Sequence, residues 1–268
     1  MLILMPFVGS PLNHLLNLNP VARPGARGVR RVITGGGMLR GSVKAIFLFF
    51  VALVVMGQAT KSLRTGQYLS EKYIEVLKKT HSPKEAETTS PFAMYCEVKA
   101  PTVKGAAYEL NIGNFHEGYG RINIRSDGSL CTDEASRESG AANAKIKILN
   151  NESFNTLIAG EPPARFKYVG NVHQFVASET IAGKYEDPEG HAVYFGLDGI
   201  ALFPGKSYRY VVNTDFFGPP DYECVFLSDV PFAYALSKDT LILYATYGDH
   251  TMKVDSKPAW VLKKKGHA

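Results

Sequence analysis

Cysteine is scarce, and what there is forms no familiar site. Cys96, Cys131 and Cys224 are the whole set, and no two stand at the Cys-x-x-Cys spacing of a zinc or dithiol redox centre. Catalytic signatures are missing too. His116-Glu117 is followed by Gly118-Tyr119-Gly120, which breaks an HExxH zinc helix, and there is no GxSxG elbow and no glycine-rich phosphate loop opening a helix. His116, His173, His191 and His250 are isolated in sequence and read as surface or strand-edge residues. A site assembled from distant strands stays open, for example His191 with His250 and Asp249. These absences put a non-catalytic role ahead of an enzymatic one and call for no cofactor and no metal.

Acid is absent from one long stretch. Residues 1–59 hold six Lys or Arg and no Asp or Glu, so the whole-chain charge of +5 belongs to them. Residues 60–268 carry 24 basic against 25 acidic side chains, a net of −1. A body near neutrality has no long-range field to gather phosphates, which removes the main physical support for nucleic-acid binding. Lys263-Lys264-Lys265 is the basic cluster that is left, and it reads as a solvated tail ahead of an anionic-surface contact.

Long apolar runs are also rare. AIFLFFVALVVM, 45–56, follows Arg40 and Lys44 and precedes Gly57-Gln58-Ala59. The run falls short of the roughly 20 residues of a bilayer-spanning helix, but it suits a signal-peptide core before a small-x-small cleavage site. A start at Met38 gives the usual order of basic, apolar and small residues. The expectation is an exported chain, periplasmic or extracellular, with 38–59 as signal peptide, Thr60 as mature N-terminus and 1–37 produced by a start set too early. The competitors are an uncleaved anchor at 44–59 holding a basic cytosolic tail, an organellar transit peptide, and a buried core helix.

Past this leader, helical periodicity is confined to LSEKYIEVLKKT, where Leu69, Tyr73, Val76 and Leu77 share a face and Pro83 closes the helix. SPKEAETTSP, 82–91, has proline near each end and polar residues or alanine between, so 60–91 reads as a short helix and a linker. From Phe92 the period becomes two: Ala106, Tyr108, Leu110 and Ile112 alternate with small or polar residues, as do Ile122 with Ile124 and Ile146 with Ile148. FKYVG and HQFVA continue the pattern. Residues 92–178 are expected to form a β block of about six strands, either a small domain or one wall of a larger one.

The clearest block is 181–262, where short strands recur between turns at Asp198-Gly199, Pro204-Gly205 and Gly248-Asp249. It holds half of the chain's 15 Phe, 14 Tyr and single Trp. The expected fold is mainly β, an antiparallel barrel or sandwich over 181–268, with an N-terminal hydrophobic segment and one short amphipathic helix.

Within this block Gly183-Lys184-Tyr185, a strand-turn-strand hairpin around Asp198-Gly199, and the strand carrying Asp239, Leu241 and Leu243 form a pattern. It resembles the small lipocalin-like β-barrel domains of exported bacterial proteins, over about a third of the chain. Tyr185 stands where those domains more often have Trp, and nothing before residue 180 matches. The resemblance implies a barrel that binds a small apolar ligand or a protein partner, and no reaction.

The candidate binding residues cluster nearby. DFFGPPDYEC, 215–224, places Asp215, Phe216, Phe217 and Tyr222 on a loop between two strong strands, where exposed aromatics mean binding unless they pack into the loop's own base. A calcium ion on Asp215, Asp221 and Glu223 has no standard loop spacing behind it. Tyr208 and Tyr210 would line an interior or face, or serve as ordinary packing. Cys96 and Cys131 lie in one stretch of expected strands and are paired as a disulfide, leaving Cys224 a buried, inert thiol. The function expected is an exported or envelope-associated binding module for a small apolar ligand or an envelope protein, without nucleic acid, and touching membrane only through the N-terminal segment. An envelope hydrolase and a structural or adhesive protein are the alternatives.

Overall fold

The computed structural model describes residues 62–90, 93–115, 118–131, 145–157, 162–216, 222–248 and 253–266. The apolar run, the leader and the expected cleavage site lie outside them. The chain is mainly β and antiparallel, with one curled sheet, one closed barrel and, among the described residues, three short helices.

The first sheet has seven strands: β1 (Gly66–Ser70), β2 (Tyr95–Lys99), β3 (Tyr108–Gly113), β4 (Gly118–Ile124), β5 (Lys145–Asn150), β6 (Ser153–Leu157) and β7 (Ala164–Gly170), in the order β4-β3-β2-β1-β7-β6-β5. β1 lies in the stretch expected to hold only helix and linker, yet it is the central strand, pairing β2 on one side and β7 on the other. Alternation along β1 serves two cores. Tyr68 points into a cluster with Phe154 and Phe166, while Leu69 points to the opposite face, among helices and barrel. The sheet curls until its ends meet: a Cβ on Gly128, in the turn after β4, would stand 2.5 Å from the Ile146 carbonyl oxygen of β5.

Helix α1 (Glu71–Thr80) starts where Ser70 accepts a hydrogen bond from the Tyr73 N–H at 3.2 Å, and ends at His81 in the left-handed conformation. The expected linker is a second helix, α2 (Pro83–Thr89). Ser82 accepts from the Glu85 N–H at 2.9 Å and Pro83 occupies the first turn, a strong start signal in a segment whose polarity hid it because only Pro83 and Ala86 are buried. HQFVA is likewise helical and not a strand. Asn171 caps α3 (Val172–Glu179), whose Val172, Val176 and Ala177 sit on one buried face.

The barrel follows: β8 (Gly183–Glu186), β9 (Ala192–Phe195), β10 (Ile200–Phe203), β11 (Lys206–Val212), β12 (Cys224–Leu227), β13 (Val230–Ser237), β14 (Thr240–Tyr247) and β15 (Lys253–Lys264). Each strand pairs with the next in sequence, and β15 closes onto β8 through Lys263 with Glu186 and Lys264 with Tyr185. One end of this barrel is stoppered. Leu69, Tyr73, Leu77 and Val176 from β1, α1 and α3 belong to the same buried cluster as Tyr185, Phe195, Tyr210 and Leu241.

The disulfide expected between Cys96 and Cys131 is corrected by this topology. Cys96 on β2 pairs with Ile112 on β3, whereas the Cys131 N–H donates to the Asn123 carbonyl on the far side of β4. With strands about 4.8 Å apart, the two lie roughly 14 Å apart along the sheet, against the 4.4–6.8 Å between Cα atoms that a disulfide spans. All three cysteines are buried and free.

Candidate functional site

The barrel interior is packed with rings. Phe195 contacts Tyr185, Phe203 and Tyr210 edge-on at centroid distances of 5.9, 5.8 and 5.2 Å. Phe203 reaches Tyr208 at 5.5 Å and Trp260 at 5.1 Å, and Trp260 reaches Phe232 at 5.2 Å. Such contacts are close to the optimum for aromatic pairs, so these side chains satisfy one another across the barrel. Two buried hydroxyls are used up at the stoppered end. Tyr185 donates to the Ile181 carbonyl at 2.9 Å and Tyr210 to the Gly196 carbonyl at 2.8 Å. Burial pushes the Tyr185 phenol up to about 12, and burial with nearby Asp198 raises that of Tyr210.

Of the expected binding residues, Tyr210 is therefore fully enclosed, and half-buried Tyr208 lies toward the opposite end, next to the β10–β11 turn. They share a strand face but not a pocket. The loop after β11 is fastened inward. Asp215 exchanges hydrogen bonds with Asn213, and the Phe216 N–H donates to the Glu87 carboxylate of α2 at 2.8 Å. Phe216 and Tyr222 are half-buried, and burial raises the Tyr222 phenol. Phe217 lies outside the described residues.

Glu223 completes the fastening. Its carboxylate accepts hydrogen bonds from the Ser82 hydroxyl, from the Lys84 N–H at 3.2 Å and from the Tyr234 hydroxyl at 3.3 Å. Burial raises its pKa, against the pull of those donors. The Tyr73 hydroxyl is buried without a hydrogen-bond partner, and burial, Glu87 and Glu223 together raise its pKa. Loop, helix hairpin and barrel rim are thus one polar joint.

Catalytic chemistry has little to work with among the described residues. Asp187 accepts from the His191 N–H at 2.8 Å and lies 2.9 Å from its Nδ1, with Glu189 beside them. These contacts shape the β8–β9 turn itself, and the other partners considered for His191, namely His250 and Asp249, are outside the described residues.

Two grooves lie outside the barrel at the stoppered end, and another of about 370 Å³ lies on the first sheet beside Tyr95, Asn111 and Arg121. A groove of about 790 Å³ runs between the end of α3 and the rim, bounded by Ala182, Gly183, Tyr194, Phe195 and Leu197, with Lys184 and Lys264 along it. A smaller groove of about 330 Å³ lies on the other side of Leu197, between α3 and β11. Leu197 is 50% exposed and Tyr194 41% exposed, so both offer apolar surface to the groove. Gly183 permits the arrangement: its φ is +150°, and the Cε of Lys264 passes 3.5 Å from where a Cβ would sit. Sequence reading missed this site because its residues are up to about 80 positions apart. The available signal was an apolar residue, Leu197, in the Gly196–Gly199 turn.

Comparison with protein-family models, curated proteins and solved structures finds no match to this chain.

Proposed function

We propose that this chain is a non-catalytic binding module of the cell envelope or exterior, and that its ligand lies in the groove between α3 and the barrel rim, not inside the barrel. The observation that carries the reading is the exposure of Tyr194 and Leu197 on a groove of about 790 Å³, which falls within the 300–1,000 Å³ typical of small-molecule sites. The ring-filled barrel supports the same placement, since an interior ligand would have to break several aromatic contacts. Export rests on the basic-apolar-small order of residues 38–59.

The test is a titration with Nile red, a neutral apolar dye. Saturable binding that is lost in Leu197→Asp and kept in Tyr208→Ala is the expected result. Equal loss in both variants, or no saturable binding, would reject the groove. A structural or adhesive role is the second reading, favoured by exposed Leu202, Val211 and Val230 on the barrel strands, none of which lines the larger groove.

A further inference from the structure

The larger groove is amphipathic in a specific way. Tyr194, Leu197 and Ala182 form an apolar trough, while Lys184 and Lys264 stand along it. Their neighbour Lys265 is paired with Glu186. Among the described residues no carboxylate pairs with Lys184 or Lys264, in a body whose net charge beyond residue 59 is −1. Two exposed, unneutralised ammonium groups beside exposed apolar surface are complementary to one kind of occupant.

Resting on the proposed groove, we propose that its ligand is an amphiphilic organic anion: an apolar body lying against Tyr194 and Leu197, with one carboxylate or phosphate held by Lys184 and Lys264. Register supports shared access. Lys184 pairs across the sheet with Tyr194, and Lys264 extends over Gly183, which pairs with Phe195. Lys184 thus stands beside the exposed Tyr194 ring and Lys264 beside Gly183 at the rim, both along the one groove. Ammonium groups hold such anions through charge-assisted hydrogen bonds, strong where apolar walls exclude water. The groove is concave, which favours a single dissolved molecule over a bilayer surface.

Calorimetric titration of the full chain with dodecanoate and with neutral dodecanol tests the idea. Dodecanoate should bind about 10-fold more tightly than dodecanol, an increment of about 1.4 kcal/mol. The variant Lys184→Gln/Lys264→Gln should erase that preference by weakening dodecanoate binding. Equal binding of the two probes, or a preference that survives in the double variant, would overturn the anion assignment while leaving the groove in place. Failure of Leu197→Asp to weaken either probe would instead refute the groove itself. Sedimentation with phosphatidylglycerol vesicles, without binding of monomeric dodecanoate, would overturn the proposal in favour of a lipid surface.

Discussion

The Tyr210 hydroxyl donates to the Gly196 carbonyl at 2.8 Å, fixing the turn that carries exposed Leu197 to the inside of the barrel. The aromatic core and the groove wall are therefore mechanically linked. Tyr210→Phe removes one of two hydrogen bonds to that carbonyl, which keeps the Gly199 N–H at 3.1 Å, and should cost about 0.5–1.5 kcal/mol, whereas Tyr210→Ala should cost roughly 3–5 kcal/mol through a cavity. Tyr208→Ala, at a half-buried position, should cost less. Urea denaturation of the three variants checks the order.

Glu223 gives a pH dependence of unusual sign. Its folded pKa is raised above the ordinary carboxylate value, so its contribution to stability is fully present below the unfolded pKa of about 4.3 and is lost as pH rises through the folded value. Glu223→Gln keeps an acceptor for Ser82, Lys84 and Tyr234 but cannot ionise. The melting temperature of the natural chain should therefore fall relative to Glu223→Gln as pH is raised from about 4. Parallel profiles across that range would remove Glu223 from the account.

The cysteines should behave as three buried thiols. Burial pushes Cys224 up to about 12 and raises Cys96 well above the ordinary thiol range. Alkylation should require denaturant at both, and non-reducing peptide mapping should show no bridge. A Cys96–Cys131 peptide would mean that the order of β2, β3 and β4 is wrong.

Two glycines separate backbone strain from crowding. Gly105 and Gly128 have φ of +88° and +87°, but a Cβ on Gly105 meets nothing within 4 Å while one on Gly128 meets the Ile146 carbonyl. Gly105→Ala should cost about 1–2 kcal/mol from the left-handed backbone alone. Gly128→Ala should cost more, because the two ends of the curled sheet must part. Thermal unfolding of the pair measures the difference.

The barrel was legible because alternating apolar residues and Asp-Gly or Pro-Gly turns are local signals. β1 was not: Gly66–Ser70 is short, buried on both faces, and runs into α1, so Leu69 fits the helical period as well as the strand. α2 shows too few apolar residues for periodicity to reveal it, although its Ser-Pro start was visible. The joint around Glu223 needs Ser82 and Tyr234, which only folding brings together. The aromatic excess in 181–262 was read correctly as a local feature. Composition has no direction, however, and could not say which rings fill the barrel and which face outward.

Trp260, the sole tryptophan, lies among the barrel rings, so it reports on interior occupancy, and Trp260→Phe/Tyr194→Trp moves the sole reporter to the groove. Titrated with dodecanoate, the natural chain should keep its emission unchanged, while the double variant should show a saturable change. A saturable change at Trp260 with a silent Trp reporter at position 194 would place the ligand inside the barrel and contradict the account.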